Sequence, residues 1–419
     1  MPEDNVNNQQ PNGETVYTET VVEYVDNRRS RTVLAAILVL LFLLLIGVGF
    51  FIVRISQPAA PPKKADLPTG VSWVRSFYAW GRTPDTMMTA PVDADIAPDG
   101  TVWVTTNKRV LVGFDQNGQT RRVITRPNVG APGGFISIEG LAVDPDTGDL
   151  YVAEFGRNSV MVFGPNGELK REFGVELPME IDVRDGKVAV AAAYGIGIFD
   201  TEGKLITQWG QRGKEDADVD LPHGIAIGPD GNVYVSDTQN KRIKAYTQDG
   251  RLLWIKSSKV AGDLKSKVET ETIDGVIQNM QIPSSLTFDN AGRLLLVDPF
   301  EFQILVLDPA KKGQVVARYG EFGQEDGKFA YPTGIAYDPA RDLIAVADTS
   351  NNRAQLIRLP DTGGSAIRRN LAWATDQPIW LCAIPLILLL AAVVVSVLRR
   401  RRAKKAEAEQ TAGEPLADM

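Results

Sequence analysis

An internal repeat between residues 91 and 358 constrains the fold of this chain more than any other feature. Six segments stack on one another, and they begin near Pro91, Ile138, Pro178, Leu221, Pro283 and Tyr331. Their mean spacing is about 48 residues, close to the length of a propeller blade. Each segment alternates short apolar runs with turns such as Pro-Asp-Gly, a pattern typical of a four-stranded antiparallel sheet. The sequence therefore predicts an all-β fold with six blades arranged as a β-propeller.

The two ends of the repeat region predict how the ring of blades closes. The last segment stops after its third strand at Arg358, whereas Ser72–Gly81 (SWVRSFYAWG) precedes the first segment as an unpaired strand. This stretch ends in an aromatic residue and a glycine, as do LITQWG and VVARYG in two other segments. An early strand that completes the last sheet removes an exposed sheet edge. We therefore expect Ser72–Gly81 to contain the fourth strand of the last blade.

Two of the six segments share a detailed motif, in which Pro-x-Gly-Ile-Ala opens the first strand and Asp-Thr-x-Asn-x-Arg follows the second. The residues are Pro222, Gly224, Ile225, Ala226, Asp237, Thr238, Asn240 and Arg242 in one segment, and Pro332, Gly334, Ile335, Ala336, Asp348, Thr349, Asn351 and Arg353 in the other. With these residues the region resembles the NHL repeat family over about 290 residues, and the resemblance implies a six-bladed propeller. The other four segments are degenerate, and one has Ala193 where Asp237 would stand.

The motif residues Asp237, Asn240, Arg242, Asp348, Asn351 and Arg353 are interpreted as structural. Asp and Asn form turns by bonding to nearby backbone, and an Arg on the next strand can pair with the Asp. A single active site would not need two copies of the same residues.

Two apolar runs flank the repeat region, Val33–Val53 and Pro378–Leu398. Each has about 21 residues without a charge, enough to cross a hydrocarbon core of roughly 30 Å as a helix. Basic residues lie outside both runs, with Arg28, Arg29 and Arg31 before the first and Arg399–Arg402, Lys404 and Lys405 after the second. This charge bias predicts two transmembrane helices with both termini in the cytoplasm and the propeller outside it. A cleaved signal peptide is the alternative for the first run, which is longer than a typical signal core.

These features divide the chain into seven segments. They are a cytoplasmic tail at 1–32, a transmembrane helix at 33–53, a Pro-rich linker at 54–70, the propeller at 71–360, a linker at 361–377, a second transmembrane helix at 378–398 and a basic cytoplasmic tail at 399–419. The predicted location is a cell membrane of bacterial type, which the chain would cross twice.

The net charge of the repeat region limits the classes of molecule that are expected to bind it. Between Gly70 and Pro360 there are 39 Asp or Glu residues and 31 Lys or Arg residues, a net charge of −8. An acidic domain repels phosphate backbones, so nucleic acid is not expected to bind. The chain has one cysteine, Cys382, which excludes an intramolecular disulfide and a cysteine-based metal site.

The predicted strand order also defines two faces of the propeller. We call loop face the side with the loops from the fourth strand of one blade to the first strand of the next, together with the turns between second and third strands. The opposite side, where the chain enters and leaves, is the terminal face. The longest loops are predicted on the loop face, at Arg82–Ala90, Gln211–Leu221, Ser257–Gln281 and Glu321–Tyr331. Long loops often carry function, so we expect this membrane-distal face to bind the partner.

Residues at the starts of first strands are candidates for a ligand or metal site at the channel mouth. They are Asp93, Glu139, Glu180 and His223, with Asp95 and Asp182 two residues further along. Converging carboxylates could bind Ca²⁺ through oxygen ligands, with Asp93, Glu139 and Glu180 as the metal set. The alternative is that they are hydrogen-bonded residues at strand ends. NHL propellers resemble amidating lyases and lactonase-like hydrolases, but a single histidine in the chain excludes a histidine-rich zinc site.

The leading hypothesis is a non-enzymatic binding or scaffold module for a protein, peptide or cell-envelope ligand, attached to the lipid bilayer by two helices. One alternative is a lyase or lactonase-like hydrolase that uses Ca²⁺ at the channel mouth. Another is a ligand sensor that signals through a partner protein, since the chain is similar to receptor kinases with NHL ectodomains but no kinase sequence follows.

Overall fold

The computed structural model describes residues 38–42, 44–45, 70–107, 109–125, 135–257 and 272–365, and positions 393, 395, 397–399 and 402. Two compact units are present, Met1–Pro58 and Ala59–Met419. In the first unit, the described residues 38–42 and 44–45 are helical. The second unit contains the repeat region.

Six four-stranded antiparallel sheets form the repeat region, one from each predicted segment. Blade 1 contains Pro91–Ile96, Val102–Thr106, Val110–Phe114 and Thr120–Thr125. Blade 2 contains Ile138–Val143, Leu150–Glu154, Ser159–Phe163 and Leu169–Gly174. Blade 3 contains Pro178–Arg184, Lys187–Ala192, Gly195–Asp200 and Leu205–Trp209.

Blades 4 and 5 follow the same order. Blade 4 contains Gly224–Ile227, Val233–Asp237, Arg242–Tyr246 and Leu252–Ser257. Blade 5 contains Leu286–Phe288, Leu294–Asp298, Gln303–Asp308 and Gln314–Tyr319. A short hairpin of Thr272–Ile273 and Val276–Ile277 precedes blade 5, and single 3₁₀ turns occur at Pro84–Thr86, Phe155–Arg157, Pro309–Lys311 and Thr349–Asn351.

Blade 6 closes the ring with strands from both ends of the repeat region. Its strands are Pro332–Asp338, Leu343–Asp348, Arg353–Arg358 and, as the fourth, Ser72–Phe77. Ser72 pairs with Arg358 and Phe77 with Ala354 in antiparallel register. The expected closure by the early strand is therefore confirmed. The same pairing places the start of the early strand beside the end of the last strand, so the chain enters and leaves on the terminal face.

The burial of the strands shows how the blades pack around the axis of the propeller. Second strands such as Val233–Asp237 are buried along their whole length, whereas fourth strands such as Leu205–Trp209 are partly exposed. First strands of successive blades contact one another around the axis, and blade 6 contacts blade 1 in the same way. Apolar side chains pack between neighbouring blades, as where Leu295 and Val306 of blade 5 meet Ile335 of blade 6. Burial of apolar surface between blades is the main favourable term for such a fold.

The predicted membrane-spanning runs fall largely outside the described residues. Within the described part of the chain, no helix has the length and apolar character needed to cross a membrane. The two spans at 33–53 and 378–398 therefore stay predictions.

Candidate functional site

The carboxylates predicted at the channel mouth bind backbone groups of the next blade. The Leu141 amide donates to Asp93 Oδ2 at 2.9 Å, and the Val143 amide donates to Asp95 Oδ2 at 2.7 Å. The Ile227 amide donates to Asp182 Oδ2 at 2.7 Å. First strands of neighbouring blades diverge at the axis and do not form a sheet, so their edge amides need other acceptors. Three channel carboxylates supply those acceptors.

Two of these carboxyl groups form a coupled pair. Asp93 and Glu180, from blades 1 and 3, are both buried and are hydrogen-bonded to each other. Burial is the main cause that raises the pKa of Asp93, to about 6. Burial and the nearby Asp93 charge raise the pKa of Glu180 well above its usual value. Both effects favour the protonated form of Glu180, beside the Asp93 carboxyl group.

Asp95 and Asp182 lie one step further along the channel. Burial raises the pKa of Asp95 to about 8, and the charges of Asp182 and Asp93 act in the same direction. Burial also raises the pKa of Asp182, against the hydrogen bond from Ile227 and the charge of Arg184. Four carboxyl groups therefore meet in the channel, and burial raises the pKa of each of them.

The other two predicted site residues are not part of this group. Glu139 accepts a hydrogen bond from the Ser137 hydroxyl at 2.9 Å, and burial, together with the charge of Glu154, raises its pKa. The His223 amide donates to the Thr238 hydroxyl at 3.0 Å, and burial lowers the pKa of its imidazole. The geometry thus joins Asp93 to Glu180 but leaves Glu139 and His223 with local partners.

The space between the channel carboxylates is small. Asp93, Asp95, Glu180 and Asp182 line a cavity of about 40 Å³, room for a few water molecules. Organic ligand sites usually occupy about 300–1,000 Å³. Among the described residues, no group of three or more His, Cys, Asp or Glu side chains is placed to hold a metal ion. The Ca²⁺ set of Asp93, Glu139 and Glu180 stays a prediction, and the structure joins only Asp93 and Glu180 of the three.

A wider cavity of about 610 Å³ opens on the terminal face. Asp95 and Asp182 form part of its lining, and prolines of the turns between first and second strands, such as Pro98 and Pro229, lie at its edge. Arg341 lines the same cavity but is already held by Asp338 at 3.0 Å. This opening faces the side where both chain ends leave the propeller.

The motif residues hold the long loops of the loop face. In blade 4, Arg242 Nε donates to Asp237 Oδ2 at 2.7 Å, and its other nitrogens donate to the carbonyls of Lys214 and Glu215 at 3.0 and 2.7 Å. Asn240 Nδ2 also donates to Asp237, at 2.9 Å. The motif thus anchors the loop between blades 3 and 4.

Blade 6 repeats this arrangement on the loop between blades 5 and 6. Arg353 Nε donates to Asp348 Oδ2 at 2.9 Å, and Asn351 Nδ2 donates to the same carboxylate at 2.7 Å. Arg353 reaches the carbonyls of Gln324 and Glu325 at 2.9 and 2.8 Å. In both copies the motif residues bond to one another and to the backbone of the preceding loop.

Exposed aromatic side chains are concentrated on the loop face. In the described part of the propeller, five aromatic residues are exposed, namely Tyr78, Tyr194, Phe300, Phe322 and Tyr331. All five lie in loops between blades or in turns between second and third strands. Among the exposed aliphatic residues, Val123, Leu169, Leu205, Ile206 and Leu253 lie on fourth strands at the outer edge of the ring, whereas Met87 and Ile277 lie in loops between blades. Exposed aromatic groups are typical of protein-binding surfaces.

Sequence reasoning missed these aromatic residues as site candidates. The signal lay in blade 5, where the turn after the second strand reads Asp-Pro-Phe-Glu-Phe-Gln at 298–303, and the regular repeats have Asp-Thr-x-Asn-x-Arg. In the sequence alone, Phe300 and Phe302 are indistinguishable from a degenerate copy of the motif. Only the structure shows that the Phe300 side chain is exposed. Trp209 and Trp254 on fourth strands, and Trp80 just after one, are partly buried and pack against the blades.

Comparison with known proteins supports the repeat assignment. The NHL repeat family model matches residues 220–246 and 329–353, in the loops and strands of blades 4 and 6. NHL repeat-containing protein 3 of Homo sapiens is 22% identical over 280 residues, which span 60% of this chain and 74% of that protein. Protein brain tumor of Drosophila melanogaster is 25% identical over 173 residues, 41% of this chain and 14% of that protein.

Among solved structures, Kuenenia stuttgartiensis hydrazine synthase matches with a TM-score of 0.48 and 15% identity, covering 67% of this chain and 99% of that chain. The described residues form six sheets in a closed ring, and an early strand completes the last sheet. The chain is thus a six-bladed β-propeller in which two blades contain segments that match the NHL repeat.

Proposed function

We propose that this chain is a membrane-anchored binding or scaffold module whose propeller holds a partner protein on its loop face. The observation that carries the proposal is the placement of all five exposed aromatic residues of the described propeller on that one face. Aromatic side chains provide large contact areas and often dominate the affinity of protein interfaces. Protein partners are also common among propellers with NHL repeats.

Membrane anchoring rests on the two apolar runs at 33–53 and 378–398 and on the basic residues outside them. This arrangement is supported by the pairing of Ser72 with Arg358, which places the two ends of the propeller next to each other. Anchors attached to adjacent ends on the terminal face would leave the loop face free to meet a partner. The extracytoplasmic position of the propeller and the cytoplasmic position of both termini are part of the same proposal.

A lyase or hydrolase function is not favoured by the site. The channel carboxylates are hydrogen-bonded to backbone amides of the next blade, and the cavity between them holds a few water molecules. Their arrangement is explained by the joining of blades around the axis.

The proposal is tested by isolating the full chain from its own membranes in a mild detergent and identifying co-purifying proteins by quantitative mass spectrometry. In the test variant, Tyr194, Phe300, Phe322 and Tyr331 are replaced by serine. In the matched control, four exposed aliphatic residues of fourth strands, Leu169, Leu205, Ile206 and Leu253, are replaced by serine. A stoichiometric partner that is lost from the test variant and kept by the control supports the proposal. Equal recovery of every co-purifying protein by both variants contradicts it.

A further inference from the structure

Blade 5 has apolar residues at positions that are polar in the two regular repeats. Its turn after the second strand places Phe300 and Phe302 where blade 4 has Gln239 and Lys241. Blade 6 has Ser350 and Asn352 at the same two positions. The fold of the turn therefore does not require an aromatic side chain at either place.

The loop that follows blade 5 shows the same contrast. The loop between blades 5 and 6 forms an isolated bridge between Phe322 and Phe329, and the loop between blades 3 and 4 forms the equivalent bridge between Arg212 and Val219. The second residue of each bridge is buried, whereas Phe322 is 64% exposed. Arginine at position 212 supports the same backbone, so phenylalanine at 322 is not needed for folding either.

The aromatic residues of this turn and loop contact one another in two pairs. Phe302 and Phe322 lie with ring centroids 4.8 Å apart, and Phe300 and Tyr331 lie 5.5 Å apart in an edge-to-face contact. We call Phe300, Phe302, Phe322 and Tyr331 the aromatic cluster. Phe302 adopts a left-handed backbone conformation, with φ of 56°, which costs a bulky residue roughly 1–2 kcal/mol. Lys241 and Asn352 have the same positive φ at the equivalent position, so this conformation belongs to the turn. Phe302 is partly buried against the core of blades 5 and 6 and supports the exposed ring of Phe322.

The backbone under the aromatic cluster is held firmly. The Ala330 amide donates to Asp348 Oδ1 at 2.7 Å, and the Gly327 amide donates to Gln355 at 3.0 Å. Arg353 binds the Lys328 carbonyl at 2.9 Å. Exposed aromatic groups on a fixed loop lose little conformational freedom on binding, which favours affinity.

Carboxylates surround the aromatic cluster. Glu301, Glu321, Glu325 and Asp326 lie in the same turn and loop, and the Glu325 side chain is 71% exposed. The loop has one basic residue, Lys328, whose Nζ lies 3.0 Å from Glu321 and 3.7 Å from Glu325. From the adjoining strands, Arg318 lies 3.8 Å from Glu301 and Arg353 lies 3.4 Å from Asp326. Four carboxylates and three cations leave the rim with a net charge of −1 around an apolar centre. A complementary surface has an apolar centre and a basic rim.

We propose that the aromatic cluster is the anchor point for a partner protein that inserts one apolar side chain flanked by Lys or Arg residues. This proposal rests on the proposed function and narrows it to blades 5 and 6 and to one partner chemistry. The phenylalanine rings contact the inserted side chain, and Glu321 and Glu325 pair with the flanking basic groups. Arg212, which stacks on Tyr194 at 5.1 Å on the other side of the loop face, shows how an arginine from a partner would contact an exposed ring.

The test uses the full chain in detergent micelles and a phage-displayed library of random peptides as the probe. Peptides selected on the unmodified chain are expected to contain an apolar residue with Lys or Arg on both sides. The affinity of a selected peptide is expected to fall about 30-fold for Phe322→Arg, the loss of a binding hot spot. Replacing Glu321 and Glu325 by glutamine is expected to weaken binding about 5-fold and to flatten its salt dependence.

Leu253→Arg is the matched control, because it replaces an exposed apolar residue by arginine on the outer edge of blade 4. It is expected to leave peptide affinity unchanged. Acidic or uncharged consensus peptides, full binding by Phe322→Arg, or no enrichment at all would each overturn the inference. If the four-residue serine variant loses a native partner that Phe322→Arg keeps, this inference fails while the proposed function stands. Self-association of the chain through Phe322 would also overturn it, because the occupant would then be a second copy.

Discussion

Removal of the Arg353 side chain should destabilise the propeller strongly. The guanidinium group is almost fully buried and bonds to Asp348, which is also buried. It also donates to the carbonyls of Gln324, Glu325 and Lys328, so one side chain supports the whole loop between blades 5 and 6. In Arg353→Met the apolar volume is largely kept, but the Asp348 charge and the loop carbonyls lose their main donor.

The magnitude follows from the loss of one partner of a buried ion pair, which costs about 3–5 kcal/mol. Unfolding entropy is about 2.1 cal/mol/K per residue near 60 °C, or roughly 0.6 kcal/mol/K for a propeller of this size. Arg353→Met should therefore lower the melting temperature by about 5–8 °C. A second change, Asp348→Asn, removes the uncompensated charge, so the double variant should regain part of the lost stability.

The assay is thermal and urea unfolding of the full chain in detergent, followed by tryptophan fluorescence and circular dichroism. The matched control is Arg121→Ala, which breaks an exposed pair with Asp99 whose side chain is 63% exposed. Such a pair contributes about 0–1 kcal/mol, so the control should shift the melting temperature by less than about 2 °C. If Arg353→Met matches the control, or if the two changes at Arg353 and Asp348 are additive, the motif does not hold the loop as argued.

Three further predictions concern the channel, a loop glycine and the membrane topology. Because folding raises the pKa of Asp95 to about 8, the folded state holds a proton that the unfolded state loses. The free energy of unfolding should therefore fall as pH rises from about 4 to about 8, by up to about 1.4 kcal/mol per pH unit. In Asp95→Asn the urea midpoint should depend less on pH between pH 6 and 8, and an unchanged pH dependence would contradict this. Gly320→Ala should cost about 2 kcal/mol, since a Cβ there would lie 2.7 Å from the Phe329 ring at a φ of 99°, whereas Gly174→Ala, with open space around it, should stay within about 0.5 kcal/mol in the same urea titration. In a Cys382→Ser background, a cysteine at exposed Asn290 should react with a membrane-impermeant maleimide in intact cells; labelling only after lysis would refute the extracytoplasmic placement.

The repeat architecture was readable from sequence because each blade is encoded locally. Turn glycines and alternating apolar residues recur in every segment, and the aromatic-Gly ending of Ser72–Gly81 revealed the closing strand, which pairs with Arg353–Arg358. The role of the Asp-Thr-x-Asn-x-Arg residues was also accessible, since Asp348 and Arg353 lie close in sequence and act within one turn.

The channel was harder to predict because its contacts join different blades. Asp93 meets Glu180 and the Leu141 amide only when three blades are placed around the axis, and sequence spacing does not report that register. Glu139 is the second residue of its first strand whereas Asp93 and Glu180 are the third residues of theirs, and Glu139 bonds to Ser137 instead. The aromatic cluster was hidden for another reason: Phe300 and Phe322 lie far apart in sequence, and apolar residues in a β fold are usually assigned to the core.

Site-specific photo-crosslinking in cells that produce the full chain tests the central claim most directly. A photoreactive amino acid is placed at Phe322 on the loop face or at Asn290 on the terminal face, both of which are exposed. The account predicts a defined crosslinked protein partner from position 322 and none from position 290. A partner captured only from position 290, or no partner from position 322, would contradict the claim that the loop face is the binding surface.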